Sequence, residues 1–176
     1  MVDPAATYLR RLFPWLLVTL LLCGSAVVYL DGELRNQTTP QGIVAFEFCG
    51  FSSTCEEALN AWSPYQHKVL LLLLGFDYLF LLSYPATLAA AITLLRQKLH
   101  PGLAGVGRVP FALALAIALA DAIENLGSIA LVLKGVTAPP ALIAAVFATI
   151  KFALLGVGVL WLFSLLTLRL KRAVER

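Results

Sequence analysis

The chain has 176 residues, 60% hydrophobic and 13% charged, with a mean hydropathy of +0.88. Soluble domains are close to half apolar and a quarter charged, so this balance excludes an ordinary soluble domain and points to a membrane protein. The net charge of +3 is small; its placement carries more information than its sum, and no nucleic-acid partner is expected.

The first apolar stretch, 13–30, follows Arg10 and Arg11. A basic start, an apolar run and the small residues of "CGSAVVYL" are also the pattern of a cleaved signal peptide. The run continues to Leu30, and a retained helix is the better reading. Residues 31–66 form an outer loop too small for a core of its own. In it, "TTPQGIVAFEFCG" reads as a short helix on the membrane, with Thr39 as N-cap, Pro40 at the first position and Gly50 as the stop. A strand reading stays open there, because Ile43, Val44, Phe46 and Phe48 do not share one narrow stripe. "TCEEALNAW" is a clearer helix, with Thr54 and Glu57 as a capping box. Pro64 then permits a turn into the next helix. Cys49 and Cys55 flank "GFSST"; the spacing permits a disulfide on an oxidising side but does not demand one. Without a C-x-x-C, and with Cys23 alone in helix 1, thiol–quinone redox chemistry is not expected.

Three further apolar stretches, 69–95, 109–133 and 141–168, are long enough to span, since a span needs ~20 mostly apolar residues. Arg10, Arg11, Arg96, Lys98, Arg108, Arg169, Lys171, Arg172 and Arg176 fall on one side of the four spans. Asp31, Glu33, Glu47, Glu56 and Glu57 fall on the other, with Arg35, Lys68 and Lys134. The positive-inside rule then places both termini in the cytoplasm. Tyr8 and Trp15 on the inner side, and Tyr29, Trp62 and Tyr65 on the outer, suit interfacial belts; Trp161 suits the bundle interior. The basic inner loop "RQKLHPGLAGVGRVP" could meet anionic headgroups, although ordinary positive-inside charge accounts for it.

Four ionisable groups interrupt the spans: Asp77, Asp121, Glu124 and Lys151. Each costs roughly 2.5 kcal/mol or more at a helix centre unless it faces a partner or water. Asp77 is nine residues after Lys68, Glu124 ten before Lys134, and Lys151 eleven after Pro140. At ~1.5 Å per residue all three lie roughly 14–17 Å below the outer ends, with Asp121 a turn deeper. Asp121, Glu124, Asn125 and Ser128 share one helix face at i, i+3, i+4 and i+7, which Ala114 and Ala118 continue. Tyr84 lies two turns along the face of Asp77, and Pro85 frees the carbonyl of Leu81. Gly158 follows Lys151 at i+7. The pattern predicts one intramembrane cluster with more acids than bases. Crowded carboxylates share protons, so at least one of Asp77, Asp121 and Glu124 is expected to be neutral at pH 7 unless a cation or a water path compensates.

His67 and His100 lie on opposite sides, which excludes a bis-histidine haem. There is no Gly-rich phosphate loop, no spacing demands a metal, and no cofactor is expected. The inner halves of the last three spans are mainly Ala, Leu, Thr and Gly, which argues against a continuous ion path.

The stretches "TPQGIVAFEF", "AW", "FDYLFLLSYP" and "ADAIENLG" resemble a group of small uncharacterised bacterial four-helix integral membrane proteins. The likeness covers roughly residues 39–127. It implies location and architecture but no reaction, and places matching positions at Glu47, Trp62, Asp77, Tyr78, Tyr84, Pro85, Asp121, Glu124 and Asn125. Cys49 and Cys55 are not part of it.

The expectation is therefore an all-α polytopic membrane protein. It comprises a single transmembrane domain over 1–176, a four-helix bundle with a short helical outer loop, in the bacterial cytoplasmic membrane. An outer-half pocket lined by Asp77, Tyr84, Asp121, Glu124, Asn125 and Lys151 is expected to bind a lipid-like or small amphiphilic ligand. The alternative is a structural or assembly subunit, with a membrane-protein partner or a second copy, in which the cluster only locks helix packing. Enzymatic turnover stays open: a desolvated Lys151 could act as base or nucleophile, but nothing supplies an oxyanion site.

Overall fold

The computed structural model describes residues 4–99 and 108–175. Among these there is no strand. The elements are α1 (Pro4–Leu34), α2 (Ile43–Glu47), α3 (Cys49–Ser52), α4 (Cys55–Asn60), α5 (Pro64–Leu99), α6 (Arg108–Lys134) and α7 (Ala138–Val174). Four of them, α1, α5, α6 and α7, are long and apolar enough to cross a membrane. The chain is an all-α integral membrane protein built on these four helices.

The helices outrun the apolar stretches at both ends. α5 starts at Pro64, whose missing N–H falls where a helix start has no acceptor for it. α7 starts after the extended Thr137 (φ −133°, ψ 149°), with prolines in its first turn. At ~1.5 Å per residue, α5 and α7 are each about 54 Å long, so they tilt or project beyond ~30 Å of hydrocarbon. The non-helical loop shrinks accordingly. Of the inner loop, residues 100–107 lie outside the described residues, while its basic Arg96, Lys98 and Arg108 fall on the ends of α5 and α6.

α1 packs along α5, α5 packs against both α6 and α7, and α6 packs along α7. At the α6–α7 seam Gly127 meets Pro140 and Ala144, and the small residues Ala120, Ala145 and Ala148 are buried on the two helices. A Cβ on Gly127 would lie 2.9 Å from the Pro140 carbonyl oxygen; backbones approach this closely in lipid where side chains are small. α1 and α7 touch at most at isolated points. The same holds for α1 and α6, so α1 joins the bundle through α5 and lies loosely beside the other two helices.

One end of the bundle carries α2–α4 and the α6–α7 connection; it is called the loop end here, and the opposite end, with both termini, the terminal end. α2–α4 fold down onto the bundle. Phe46, Trp62, Leu34, Leu70, Leu73 and Leu131 form a buried core beneath them, with Phe46 and Trp62 edge to face at 5.3 Å between ring centroids. The loop is tied to the end of α1 by its last polar groups. The Asp31 carboxylate accepts the Ile43 N–H at 2.6 Å and two bonds from Arg35 at 2.9 and 2.7 Å. Gly42, at φ 61°, lets the chain turn against that carboxylate; a Cβ there would collide with it. The Leu34 carbonyl accepts both the Thr39 hydroxyl and the Trp62 indole N–H, each at 2.8 Å, which satisfies an otherwise free acceptor at a helix C-terminus.

These contacts correct four expectations. The first loop helix begins at Ile43, not after Thr39, because the Thr39 hydroxyl bonds backwards to α1. It breaks at Phe48 and resumes as α3, and the strand reading falls away. The Thr54–Glu57 capping box does not form: Thr54 has near-helical ψ (7°) and its hydroxyl pairs with Ser52 at 2.8 Å. Trp62 is buried beneath the loop and not at an interface. Tyr8, Trp15, Tyr29 and Tyr65 are exposed. Trp161 is half-buried, with the Arg96 guanidinium 5.3 Å from its ring centre. A disulfide joins Cys49, the first residue of α3, to Cys55, the first of α4.

Candidate functional site

The intramembrane charges meet. Antiparallel α5, α6 and α7 bring Asp77, Asp121 with Glu124 and Asn125, and Lys151 into one layer. The Lys151 ammonium donates to Asp121 Oδ1 at 3.2 Å and to Glu124 Oε2. It lies 3.4 Å from Glu47 Oε1 and 4.8 Å from the centre of the Phe152 ring. The Tyr84 hydroxyl donates to Asp121 Oδ2 at 2.8 Å, and the Asn125 amide to Asp77 Oδ2 at 2.6 Å. Tyr78, one residue along from Asp77, donates instead to the Ala122 carbonyl at 3.2 Å.

Glu47 is the member left out of the expected cluster; the resemblance singles it out as a matching position, but its charge is assigned to the loop side. It ends α2, and the docking of α2 by Asp31, Gly42 and Phe46 carries it over the mouth of the cluster. The available signal was local: Glu47 is the only charged residue between Arg35 and Glu56, and it stands between two phenylalanines. Burial pushes its carboxyl up to about 7, against the pull of Lys151 and with the added push of Asp77 and Asp121.

Four carboxylates, Glu47, Asp77, Asp121 and Glu124, therefore face one ammonium. All but Asp77 are buried. Lys151 is hydrogen-bonded to Asp121 and Glu124 and ion-paired with Glu47, so its nitrogen is engaged as a donor in this structure. Glu47 Oε2, Glu124 Oε1 and the Ser128 hydroxyl are buried among the described residues without a hydrogen-bond partner. No group of His, Cys, Asp or Glu among the described residues is arranged to hold a metal ion.

The cluster forms the polar end of a cavity of about 610 Å³. That volume is in the ~300–1,000 Å³ range of small-molecule sites. Glu47, Asp77, Tyr84, Asp121, Asn125 and Lys151 line it. Glu124 does not: it holds Lys151 from behind. The remaining wall is almost wholly apolar. α1 contributes Phe13, Leu17, Leu20 and Val27; α5 contributes Phe80, Leu88 and Ala91; α7 contributes Phe152, Leu155, Val159 and Leu162. From Phe13 to Val27 the wall runs fourteen residues along α1, about 21 Å at the helical rise. The cavity is thus an elongated apolar groove with a charged head, lying between two helices that hardly touch.

No known protein family, curated protein or solved structure matches the chain.

Proposed function

We propose that the protein binds one amphiphile in the cavity between α1 and α7, with the polar head at the Glu47–Asp77–Asp121–Lys151 cluster and the chain along α1 and α7. The observation that carries this reading is the joining of the two features. A surplus of buried carboxylates opens directly into an elongated apolar cavity, at a seam where the bundle is loosely closed. A cluster serving helix packing alone would be expected to be balanced and shut off from such a space. The gap between α1 and α7 gives a ligand a lateral way in from the bilayer, and α2 covers the head.

The orientation belongs to the same proposal. Arg10, Arg11, Arg96, Lys98, Arg108, Lys171 and Arg172 cluster at the terminal end, and the acidic loop with its disulfide lies at the other. This supports cytoplasmic termini in a bacterial cytoplasmic membrane.

The test is native mass spectrometry of the protein extracted gently from its own membrane. One retained amphiphile per chain is expected. It should be lost when Leu155→Trp fills the apolar wall, with the fold checked by the unfolding transition. A folded chain that carries nothing, or arrives with another protein, overturns the proposal in favour of a structural or assembly role.

A further inference from the structure

The hydrogen-bonding inventory of the cavity head is one-sided. Its donors are largely spent within the cluster: Lys151 on three carboxylates, Tyr84 on Asp121, and one N–H of Asn125 on Asp77. What is left over is acceptor capacity and negative charge. Glu47 lines the cavity, is 6% exposed, and has Oε2 without any partner. Such an atom is costly to bury unless something donates to it. Four carboxyl groups face the one ammonium, so negative charge is left over even where one of them holds a proton.

This inventory selects among amphiphiles. A fatty-acid carboxylate or a phosphate head would meet carboxylates, with no free cation to receive it. An alcohol could donate one bond to Glu47 but would leave the charge uncompensated. A bare metal ion finds no converging ligand set among the described residues. A protonated amine brings both missing things, positive charge and several N–H donors. The single groove along α1 and α7 suits one chain.

Resting on the amphiphile reading above, we propose that the ligand is a single-chain, long-chain amine, its ammonium held among Glu47, Asp77 and Asp121 and its hydrocarbon chain lying in the groove between α1 and α7. Lys151 then serves to position the carboxylates. It keeps Glu124 and one oxygen each of Asp121 and Glu47 turned inward, leaving the other Glu47 oxygen to the ligand.

The test uses the full chain in detergent micelles and three probes with the same unsaturated chain and different heads: oleylamine, oleyl alcohol and oleic acid. Native mass spectrometry at neutral pH reads retention. One oleylamine per chain is expected, with oleic acid retained at least roughly tenfold more weakly, as like charges would require. Asp77→Asn keeps a partner for Asn125; it should weaken oleylamine roughly tenfold and leave oleyl alcohol unchanged, which also shows that the variant is folded. Leu155→Trp should weaken all three. If the acid or the alcohol is retained as well as the amine, or if Asp77→Asn leaves the amine unaffected, the charged-head inference is overturned while the pocket stands. If a chain with an intact unfolding transition retains none of the three, both readings fall.

Discussion

Replacing Lys151 with Met removes the single cation of the cluster while keeping an unbranched side chain of similar length. Three carboxylates lose it at once, and they are not equally placed to respond. Glu47 sits on the five-residue α2 and can leave with the loop. Asp121, 1% exposed, keeps the Tyr84 hydroxyl. Glu124 is fully buried, has one oxygen without a partner already, and loses the partner of the other. Removing one side of a buried ion pair typically costs ~3–5 kcal/mol, and Lys151→Met should fall in that range, with most of the loss from Glu124. Glu124→Gln leaves Lys151 with Glu47 and Asp121, so it should cost less, about 1–3 kcal/mol. In the double variant the stranded charge is gone, and it should be more stable than the sum of the two losses allows, by about 1–3 kcal/mol of coupling. Reversible unfolding of the four proteins in mixed micelles, closed as a double-mutant cycle, measures each quantity. A Lys151→Met loss below about 1 kcal/mol, or an additive cycle, would refute the account of Lys151 as the partner on which Glu124 depends.

Docking of Glu47 should depend on pH. Its carboxyl rises from 4.5 to about 7 on burial, so the bound proton's contribution is fully present below pH 4.5 and is lost as pH rises through 7. The loop should be held more tightly at pH 5 than at pH 8, by about 3 kcal/mol at most. Hydrogen exchange of the α2 amides, corrected for intrinsic rate, measures it, and Glu47→Gln should abolish the difference. Gly42→Ala should destabilise the loop by about 1–3 kcal/mol, from the positive φ and the clash with Asp31. Gly32→Ala, where a Cβ meets nothing within 4 Å, should be neutral or slightly stabilising; thermal unfolding and protease nicking of the loop separate the two. Trp62→Phe should cost about 1 kcal/mol from the lost hydrogen bond, since the Leu34 carbonyl keeps the Thr39 hydroxyl, and more from the packing lost beside Phe46. Adding Thr39→Val should then cost more than it does alone, which a second cycle tests.

Helical periodicity alone placed Asp77, Tyr84, Asp121, Asn125, Glu124 and Lys151 together, because rise and turn per residue convert sequence spacing into depth and direction. Glu47 was out of reach of that arithmetic. Its position depends on a loop whose fold is decided by non-local contacts: Asp31 to Ile43, Thr39 and Trp62 to Leu34. The same contacts defeated the local capping signals, since a Thr hydroxyl bonded backwards to α1 cannot cap α2. Trp62 looked interfacial for a related reason, as an indole near a span end reads the same whether lipid or a folded loop lies over it. The apolar wall of the cavity carried no signal either. These helices are apolar all round, and nothing local distinguishes Leu155 facing the groove from Leu160 facing outward.

The loop-borne acid also separates the two functional readings. A helix lock needs charges only on the helices it locks, and Lys151 with Asp121 and Glu124 already joins α6 to α7. Glu47 adds a further carboxyl group to a site that has a surplus of them without it, and Asp31, Gly42 and the Phe46–Trp62 core hold it there. For packing alone this addition works against the fold, since a buried acceptor is left open and a carboxyl is kept from water. The arrangement becomes favourable once a donor of positive charge enters the cavity and meets Glu47 Oε2. The same event would fasten α2 over the head, so that occupancy of the groove and closure of the loop are one equilibrium, which the ligand shifts by its differential affinity for the docked state.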